Sequence, residues 1–453
     1  MSERVPELSH AFDVAVIGAG PAGIAAATRA AEAGRSTVLL DASPRPGGQI
    51  WRHRTRAELP APARRRLERL DRSGAVPLLG AAVVDARADR AGGFVLSLER
   101  DAEGISLRAG RIILATGARE LFLPFPGWTL PNVIGVGGAQ ALLRSGASFS
   151  GKRVVIAGSG PLLLAVAAML RAHGATVAVI AEQVSKRALL RFHAGLWRTP
   201  GRLARALAYR AALPGTRFVP DAWVVRADGD DAVREVTLTD GRRSWIERCD
   251  VLCTGFGLVP NTELAELLGC DVDDGRVRVD PWQRTTVDGV FCAGEPTGIA
   301  GATASLVEGE IAGAAAVLDT SGLDRLFAFR RREHEFARRL ESTFALRPEL
   351  REVPEQDTIL CRCEDVAFSA LEPGWSFRQA MLYTRIGMGP CQGRICGPAY
   401  RHLFGRAPRA VRVPASPASV GTLASTLTPQ QDPDDGGAAH ASRPGPRDGD
   451  TAP

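Results

Sequence analysis

The sequence predicts an α/β fold in which one dinucleotide-binding unit is nested within another, followed by a small helical domain near the C-terminus. Three observations lead to this prediction. A glycine-rich strand, turn and helix pattern occupies residues 12–41, a second copy occupies residues 151–182, and four closely spaced cysteines lie within residues 361–396. At 453 residues the chain is long enough for roughly two to four domains. Its composition, 45% hydrophobic and 23% charged, is typical of a globular protein.

Charge and hydropathy favour a cytoplasmic protein. The net charge of +6 comes almost wholly from arginine. The densest basic patch consists of Arg64, Arg65, Arg66, Arg69 and Arg72. Leucines interrupt it at helical spacing, which predicts one solvated helix and not a nucleic-acid interface. The longest apolar stretch, residues 154–170, is broken by residues 158–161, so we expect neither a signal peptide nor a transmembrane segment. Peripheral association with a membrane stays open.

A glycine-rich turn opens the first unit. An apolar strand leads into a run that contains Gly18, Gly20, Pro21, Ala22 and Gly23, and the strand after the following helix ends at Asp41. Gly18 permits a tight turn, Gly20 lets the backbone approach a pyrophosphate, and Gly23 lets helix and strand pack closely. The helix N-terminus would face the phosphates, and Asp41 would bind a ribose. This pattern predicts a Rossmann-like dinucleotide site, and a glycine turn without a ligand is the alternative.

Other motifs indicate which dinucleotide the first unit binds. Residues 289–298, GVFCAGEPTG, resemble the second FAD motif of the pyridine-nucleotide-disulfide-reductase superfamily, in which an acidic residue binds the ribityl hydroxyls. The resemblance gives that role to Glu295, which follows Gly294; the superfamily usually has Asp, and the longer carboxylate can make the same hydrogen bond. Two further segments resemble superfamily motifs beside the flavin, namely Ala115, Thr116 and Gly117, and Gly48 with Gln49. The resemblance therefore implies bound FAD.

The chemistry of a disulfide reductase is not expected. Enzymes of that kind use a CxxC pair beside the flavin, and this sequence has none. The cysteines of the body, Cys249, Cys253, Cys270 and Cys292, are expected to be small core residues. No His, Tyr or Lys stands out beside the flavin motifs as an acid or base, so no catalytic residue is assigned.

The second unit has a modified nucleotide motif. Gly158 and Gly160 match the first two glycines, but Leu163 replaces the third, and this leucine should push the helix away from its strand. Glu182, at the end of the next strand, is placed to accept a hydrogen bond from a ribose hydroxyl and would disfavour NADP. Three interpretations stay open: NAD(H), a structural adenine nucleotide, or an empty site.

The remaining cysteines, Cys361, Cys363, Cys391 and Cys396, form two close pairs that can converge on one centre. Four thiolates suit either zinc or an iron–sulfur cluster, and a set of free or redox-switch thiols is a third alternative. The segments CRCEDV and TRIGMGPCQGRICGP resemble the [2Fe-2S] domain of bacterioferritin-associated-ferredoxin type, so the resemblance implies a [2Fe-2S] cluster. The glycines around these cysteines would let backbone amides approach the sulfurs, which raises the reduction potential.

The order of these motifs, with the strings PFPGWTLPNVIGVGGAQ, GSGPLLLAVA, TGFGLVPN and GMGPCQGRICGP, resembles one family. It is the larger subunit of heteromeric opine oxidase, hydrogen cyanide synthase and hydroxyproline or proline dehydrogenase. The resemblance implies an electron-transfer subunit that accepts electrons from an amino-acid-oxidase-like FAD subunit, with a small ferredoxin-like subunit as a further candidate partner. The alternatives are a stand-alone NAD(P)H-dependent FAD oxidoreductase, similar to ferredoxin reductases, and a subunit whose cofactors only stabilise the complex.

The motifs and their spacing divide the chain into six segments. Residues 186–213 have helical periodicity and are expected to cover their own domain or to serve as a docking surface for a partner subunit. The predicted division is 12–121, first part of the FAD-binding domain; 122–260, nested second nucleotide-binding domain; 261–322, completion of the FAD-binding domain; 323–354, helical linker; 355–427, [2Fe-2S] domain; and 428–453, disordered tail.

Overall fold

The computed structural model describes residues 11–406 and 411–427. The predicted disordered tail, residues 428–453, lies outside the described residues. The strands are β1 Ala11–Ile17, β2 Thr37–Asp41, β3 Val76–Leu79, β4 Ala82–Ala88, β5 Phe94–Arg100, β6 Glu103–Leu114, β7 Ala118–Glu120, β8 Val133–Gly135, β9 Arg153–Gly158, β10 Thr176–Glu182, β11 Arg217–Pro220, β12 Trp223–Asp228, β13 Glu235–Thr239, β14 Ser244–Arg248, β15 Val251–Gly255, β16 Leu258–Pro260, β17 Val272–Asp273, β18 Arg276–Val277, β19 Val290–Cys292, β20 Ile359–Cys361 and β21 Val366–Ala367. The helices are α1 Pro21–Glu32, α2 Ala61–Ser73, α3 Val136–Arg144, α4 Pro161–Ala172, α5 Lys186–Gly195, α6 Pro200–Ala211, α7 Glu263–Leu267, α8 Ala302–Ala316, α9 Asp324–Thr343, α10 Phe377–Thr384, α11 Cys396–Phe404 and α12 Val420–Leu427.

The first glycine-rich motif lies in a sheet with the strand order β3-β2-β1-β6-β5-β4, and β19 also pairs with β6. Strands β1, β2, β3, β6 and β19 run parallel. Most apolar residues of β1, β2, β6 and β19 are buried, as expected for a parallel sheet covered on both sides, whereas Val76 of the edge strand β3 is exposed. Helix α1 packs directly on α8. A Cβ at Gly309 would lie 2.1 Å from the carbonyl oxygen of Ala22, so only glycine permits this close crossing.

The second motif lies in a parallel sheet with the order β11-β10-β9-β15-β8. Helices α3 and α4 bury Val136, Leu163 and Leu170 against one face. The antiparallel sheet β12-β13-β14 shares a core that contains Trp223 and Leu238 with the other face. The chain passes between the two sheets through the short antiparallel pair of β7 and β16, which places the carboxyl ends of β6 and β15 at a common junction.

The helices after the second motif lie on the surface. Phe192 of α5 contacts Phe344, just after α9, with ring centroids 5.3 Å apart and an edge-to-face arrangement. Helix α6 has no buried residue, and Leu190 and Leu207 are exposed. Residues 186–213 thus cover part of their own body and leave an apolar surface uncovered, so both sequence-based interpretations stay open. None of the helices within residues 11–406 and 411–427 has the length and apolarity needed to cross a membrane.

The cysteine-bearing segment has its own small core, formed by Leu360, Phe377, Ile386 and Tyr400. After the segment, the chain returns to the first sheet: the amide of Ala415 donates to the carbonyl oxygen of Val84 at 2.7 Å, and α12 packs on β5 and β6. At its other end, the carbonyl oxygen of Ile359 accepts a hydrogen bond from Trp128 Nε1 at 2.6 Å, so the cysteine segment contacts the rest of the protein at both of its ends. The predicted segment 355–427 includes this returning strap, and the division into domains stays a prediction.

Candidate functional site

The first glycine turn forms an open cradle at the end of β1. A Cβ at Gly18 would lie 2.2 Å from the carbonyl oxygen of Ala115, and one at Gly23 would lie 1.7 Å from that of Gly18. At Gly20, in contrast, a Cβ would have no heavy atom within 4 Å. Helix α1 begins there with Pro21 in its first turn and without a side-chain cap, so its amides are available to a ligand. This geometry fits a pyrophosphate.

Asp41 borders the cradle at the end of β2. Its Oδ2 accepts a hydrogen bond from the amide of Ala19 at 2.6 Å, and its Oδ1 accepts one from Ser43 at 2.7 Å. The two bonds fix the carboxylate beside the glycine turn. Gly48 packs against the backbone of Gly20, because a Cβ at Gly48 would lie 2.9 Å from Gly20 Cα. The side chain of Gln49 is exposed and accepts a hydrogen bond from Arg52 at 3.0 Å.

The second FAD motif meets the first. A Cβ at Gly294 would lie 2.9 Å from Cβ of Ala22, so the two motifs are in contact. The half-buried carboxylate of Glu295 makes no hydrogen bond to any described residue. Burial, and then the nearby Glu308, raise the pKa of Glu295. A half-buried acceptor without a donor fits a ligand that carries hydroxyl groups, as the ribityl chain of FAD does.

Sequence reasoning missed two residues at this motif, Glu308 and His334. Glu308 is 1% exposed, and its Oε2 accepts a hydrogen bond from the amide of Gly294 at 2.8 Å. Its Oε1 lies 2.5 Å from His334 Nε2 on α9. An acidic residue amid the small residues of GATASLVEGEIAG was a usable signal for Glu308. Nothing in the sequence around His334 pointed to the flavin motif.

The Ala115-Thr116-Gly117 turn lies where the chain passes between the two bodies, which are the parts of the protein built on the first and the second parallel sheet. Thr116 Oγ1 donates to the carbonyl oxygen of Asn261 at 2.7 Å, and Asn261 Nδ2 donates to the carbonyl oxygen of Thr116 at 2.8 Å. Ala115 is buried against Gly18. The reciprocal pair therefore holds the turn beside the cradle, and Asn261 is a further site residue that the sequence alone did not single out.

The second glycine turn is partly open. A Cβ at Gly158 would lie 2.0 Å from the carbonyl oxygen of Gly255, whereas a Cβ at Gly160 would meet nothing within 4 Å. Leu163 is buried, and the space for its side chain comes from β15, where a Cβ at Gly255 would lie 3.0 Å from Leu163 Cδ2. A glycine on the neighbouring strand therefore provides room that the missing third glycine does not.

Glu182 is already bonded to its own chain. It is 2% exposed, its Oε2 accepts from the amide of Gly160 at 2.7 Å, and its Oε1 accepts from Val184 at 3.1 Å. Burial raises the pKa of Glu182 to about 7. A ribose hydroxyl would have to approach a carboxylate that is enclosed by protein and has a weakened preference for the charged form.

The chain that follows α9 lies on this second turn. Ser159 Oγ donates to the carbonyl oxygen of Phe344 at 3.0 Å, and Gln183 Nε2 donates to that of Ala345 at 3.0 Å. The amide of Arg347 donates to Gln183 Oε1 at 3.0 Å. We call residues 344–347 the covering segment. It contacts Ser159 and Gln183, the residues next to Gly160 and Glu182 in the second motif, and no motif in the sequence predicted it.

Backbone amides favour the thiolate forms of two of the four predicted cluster ligands. Besides the Cys396 thiol, the amides of Gly387, Glu364 and Cys363 contribute to a lowered pKa of Cys361. The amides of Ile395 and Gly393 contribute in the same way to a lowered pKa of Cys391. Hydrogen bonding from the thiol of Cys396, reinforced by these amides, lowers the pKa values of Cys361 and Cys391. This donor set stabilises negative charge on sulfur and so fits metal-bound thiolates.

The four thiols interact in series. Cys396 interacts with Cys361 and with Cys391, and Cys391 interacts with Cys363. Within the described part of the chain, no group of three or more Cys, His, Asp or Glu side chains is arranged around a single metal ion. A single-ion arrangement is not required for a [2Fe-2S] rhomb, because each of its two irons takes only two protein ligands. The arrangement of the four cysteines is thus compatible with a two-iron cluster, and the type of metal centre stays a prediction.

The other four cysteines lie in the hydrophobic core. Cys249, Cys253, Cys270 and Cys292 are all buried. Burial raises the pKa of Cys249 to about 12 and also raises the pKa values of the other three. Thiols of this kind are unreactive, as expected of small core residues.

Known proteins resemble this chain over most of its length. Residues 12–309 match the family described as pyridine nucleotide-disulphide oxidoreductase. The chain is 33% identical to the HcnB subunit of hydrogen cyanide synthase from Pseudomonas aeruginosa, with 84% of this chain and 90% of that protein covered. It is 31% identical to an opine oxidase subunit from Agrobacterium tumefaciens, with 92% and 89% covered. The crystal structure of L-proline dehydrogenase from P. horikoshii has the same fold, with a TM-score of 0.65, 22% identity, and 91% of this chain and 79% of that chain covered. These matches confirm the predicted α/β fold class.

Proposed function

This chain belongs to the pyridine nucleotide-disulphide oxidoreductase family as an FAD-dependent oxidoreductase, and we propose that it is the electron-transfer subunit of a heteromeric amine or amino-acid dehydrogenase. The substrate of such an enzyme would be of the opine, hydroxyproline, proline or glycine type. The observation that carries the proposal is the cysteine segment, which has its own small core and contacts the part of the chain that holds the FAD-type cradle.

The residues of the body suit distinct parts of FAD. Gly20 and the uncapped start of α1 would hold the pyrophosphate, and Asp41 would bind the adenosine ribose. Glu295 would accept hydrogen bonds from the ribityl hydroxyls, while Glu308 orients the amide of Gly294. Thr116 and Asn261 hold the turn at the junction of the two bodies.

The cysteines Cys361, Cys363, Cys391 and Cys396 would hold the [2Fe-2S] cluster. When bound, the flavin exchanges one or two electrons and the cluster exchanges one. The amides directed at Cys361 and Cys391 stabilise the negative charge that a thiolate-bound cluster carries. The absence of a CxxC pair from the sequence agrees with a carrier role, since a disulfide reductase would need one.

The proposed partner is an amino-acid-oxidase-like flavoprotein subunit that oxidises the substrate and passes electrons to this chain. Two relatives that match over most of their length are themselves subunits, one of hydrogen cyanide synthase and the other of opine oxidase. This likeness supports membership of a hetero-oligomer. A small ferredoxin-like subunit is a further candidate partner for the same assembly.

The alternative function, a stand-alone NAD(P)H-dependent oxidoreductase, is less well supported. It needs a second site that admits a nicotinamide nucleotide. Glu182 is enclosed and bonded to Gly160, and the covering segment lies on Ser159 and Gln183. An empty site agrees better with this geometry than NAD(H) or a structural adenine nucleotide does, because both of those ligands carry the adenosine ribose that Glu182 would have to bind.

Metal and flavin content test the proposal. The purified chain should contain about two irons and show flavin bands together with broad visible absorption from thiolate-to-iron charge transfer. Cys391→Ser should lose nearly all of the iron and keep the FAD, because the cysteine lies outside the cradle. Cys270→Ser, a buried cysteine of the body, is the control and should keep both. Stoichiometric zinc without iron in the wild-type protein would disprove the cluster.

A further inference from the structure

A charged cluster connects the FAD-type turn with the cysteine segment. Arg119 comes two residues after Gly117, Glu263 begins α7, and Arg394 lies between Cys391 and Cys396. Their side chains are mostly buried, with exposed fractions of 21% for Arg119, 17% for Glu263 and 23% for Arg394. None of the three was singled out from the sequence, because their proximity depends on how the segments pack.

Arg119 contacts both sides of this junction. Its Nη1 lies 2.8 Å from Glu263 Oε1 and donates to Asn261 Oδ1 at 2.6 Å. Asn261 in turn is bonded reciprocally to Thr116 of the flavin turn. On the other side, Nε of Arg119 donates to the carbonyl oxygen of Arg394 at 3.1 Å, within the loop that carries Cys391 and Cys396.

The charged cluster of Arg119, Glu263 and Arg394 carries two positive charges and one negative charge. Arg394 Nε lies 3.5 Å from the same Glu263 Oε1 that Arg119 contacts, so two guanidinium groups share one carboxylate. The next acidic residue, Glu266, accepts a hydrogen bond from Thr262 Oγ1 at 2.7 Å and forms no ion pair with either arginine in the described structure. Burial lowers the pKa of Arg119, Glu263 opposes this shift, and the neighbouring Arg394 lowers the pKa further, as expected for two cations that share one carboxylate.

We propose that Arg119 is a positioning residue for the [2Fe-2S] cluster. Arg119 orients the cysteine loop against the flavin turn, and its fixed positive charge favours the reduced [2Fe-2S] cluster. The inference rests on the proposed function. Reduction adds one electron, supplied by the reduced flavin of the same chain, and therefore one negative charge next to the cysteines. A guanidinium cannot lose its charge in a protein, and in a largely buried site its field is weakly screened. Arg119 therefore stabilises the product of that electron transfer more than the starting state.

Four variants distinguish this role from a purely mechanical clamp. Arg119→Gln removes the charge and should disfavour reduction of the cluster about tenfold, which for one electron is about 59 mV more negative. Arg119→Lys keeps the charge and should recover most of the shift. Glu263→Gln leaves both arginines uncompensated and should shift the potential in the opposite direction. The double variant should lie close to wild type, because the two charges that it removes nearly cancel.

Arg385→Gln is the matched control. Arg385 also lies in the cysteine segment and also pairs with one carboxylate, Glu364, at 2.8 Å, but its side chain is 69% exposed. Solvent screens such a charge, so this substitution should move the potential much less than Arg119→Gln does.

The measurement is a redox titration of the full-length, cofactor-loaded chain followed by electron paramagnetic resonance, with iron and flavin contents determined on the same samples. Opposite shifts in Arg119→Gln and Glu263→Gln support the inference. If the wild-type protein and both variants hold two irons at the same potential, the inference is wrong and the proposed function stands. If the wild-type protein binds no iron, both are wrong. If Arg119→Gln alone loses its iron, the test rests on the reduction potential of Glu263→Gln. A potential of that variant equal to or more negative than that of the wild-type protein overturns the inference.

Discussion

Among the three glycines of the first turn, Gly20 alone leaves open space where a side chain would be. Its backbone has φ −76° and ψ −175°, a conformation that any residue adopts. The protein fold therefore does not require glycine at this position, whereas Gly18 and Gly23 are in close contact with carbonyl oxygens. The requirement at Gly20 must come from something outside the described chain, and a pyrophosphate group meets that description.

Gly20→Val should leave the fold intact and weaken FAD binding at least tenfold, or by about 1.4 kcal/mol, because the new side chain would fill the cradle. Gly374→Val is the control, since a Cβ there also meets nothing within 4 Å and the residue lies in the cysteine segment. Thermal unfolding of the flavin-free proteins should differ little from wild type, while titration with FAD should separate the two variants. Wild-type FAD affinity in Gly20→Val would exclude the assigned role.

Glu182 should make the stability of the second body depend on pH. Burial raises its pKa from 4.5 to about 7, so the unfolded chain ionises at lower pH than the folded chain does. The resulting stabilisation is complete below pH 4.5 and is lost as the pH rises through 7, with an upper limit of about 3 kcal/mol. Glu182→Gln cannot ionise and should gain stability relative to wild type over this range.

Melting temperatures of wild type and Glu182→Gln, measured from acid to neutral pH, check this prediction. Glu103→Gln is the control, because Glu103 is an exposed carboxylate at the start of β6. A difference between wild type and Glu182→Gln that does not change with pH would show that the carboxyl group has the same pKa in the folded and unfolded protein, which would contradict the prediction.

Single residues differ in how far the sequence revealed them. The turn formed by Gly18, Gly20 and Gly23 was predictable because its geometry depends on neighbours within a few positions, and the role of these glycines in ligand binding stays a prediction. Glu308 had a local signal, an acid amid small residues, but its partners did not follow from it. His334 had no such signal, because its contact with Glu308 joins two helices that are distant in sequence. Leu163 was interpreted as an obstacle, since its local motif contains no sign that Gly255 makes room for it.

At the scale of elements, α9 and the covering segment have the largest functional consequence. Helix α9 was predicted from its periodicity, but a periodic pattern does not say which surface the helix meets. The bond between Gln183 and Ala345 joins residues that are 162 positions apart, and no motif marks either of them. The sequence therefore left NAD(H) open as a ligand of the second site, and the tertiary packing argues against it.

We expect NADH not to reduce the flavin of the isolated chain, because the covering segment contacts the residues next to Gly160 and the bonded Glu182 in the second motif. Stopped-flow absorbance checks this, with chemical reduction by dithionite as the positive control. Rapid bleaching by NADH would instead favour the stand-alone reductase.

Amide exchange provides an independent test of whether the covering segment is held by its hydrogen bonds to Ser159 and Gln183. The double variant Ser159→Ala, Gln183→Ala removes three hydrogen bonds to residues 344–347 and should increase their amide exchange about tenfold or more, at roughly 1 kcal/mol for each bond. Ser185→Ala is the matched control, because Ser185 lies in the same loop but accepts a hydrogen bond from Ala188 of α5 instead.

On the scale of the whole molecule, the chain places an FAD-type cradle and a four-cysteine segment on one body, with a buried charged cluster between them. The two nested nucleotide-binding units were predictable because each βαβ motif is contiguous in sequence. The attachment of the cysteine segment at both ends was not, because it depends on contacts such as the bond from Ala415 to Val84, far apart in the chain. This attachment holds the chain that follows the cysteine segment on the sheet that carries the FAD-type cradle.

Electron flow through the assembled complex should depend on the four cysteines. The isolated chain should oxidise no amine, because hydride transfer from a C–N bond needs a substrate pocket over a flavin face, and we assign that pocket to the partner subunit. Co-expressed with an amino-acid-oxidase-like partner, the chain should form a stable complex in which substrate reduces the cofactors of both subunits. Removal of the cluster with Cys361→Ser and Cys363→Ser should slow reduction of the external acceptor at least tenfold and leave the first reduction of the partner flavin unchanged.

The two rates separate because the substitutions act after substrate oxidation, at a site in this chain alone. Stopped-flow absorbance of the wild-type and cluster-free complexes resolves the flavin reduction, and steady-state turnover resolves acceptor reduction. Cys249→Ser, which alters a buried cysteine of the second body, is the control and should change neither rate. Amine oxidation by the isolated chain would contradict the carrier role, because the substrate pocket would then lie in this chain. Unchanged turnover in the cluster-free complex would also contradict it, because electrons would then reach the acceptor without the proposed cluster.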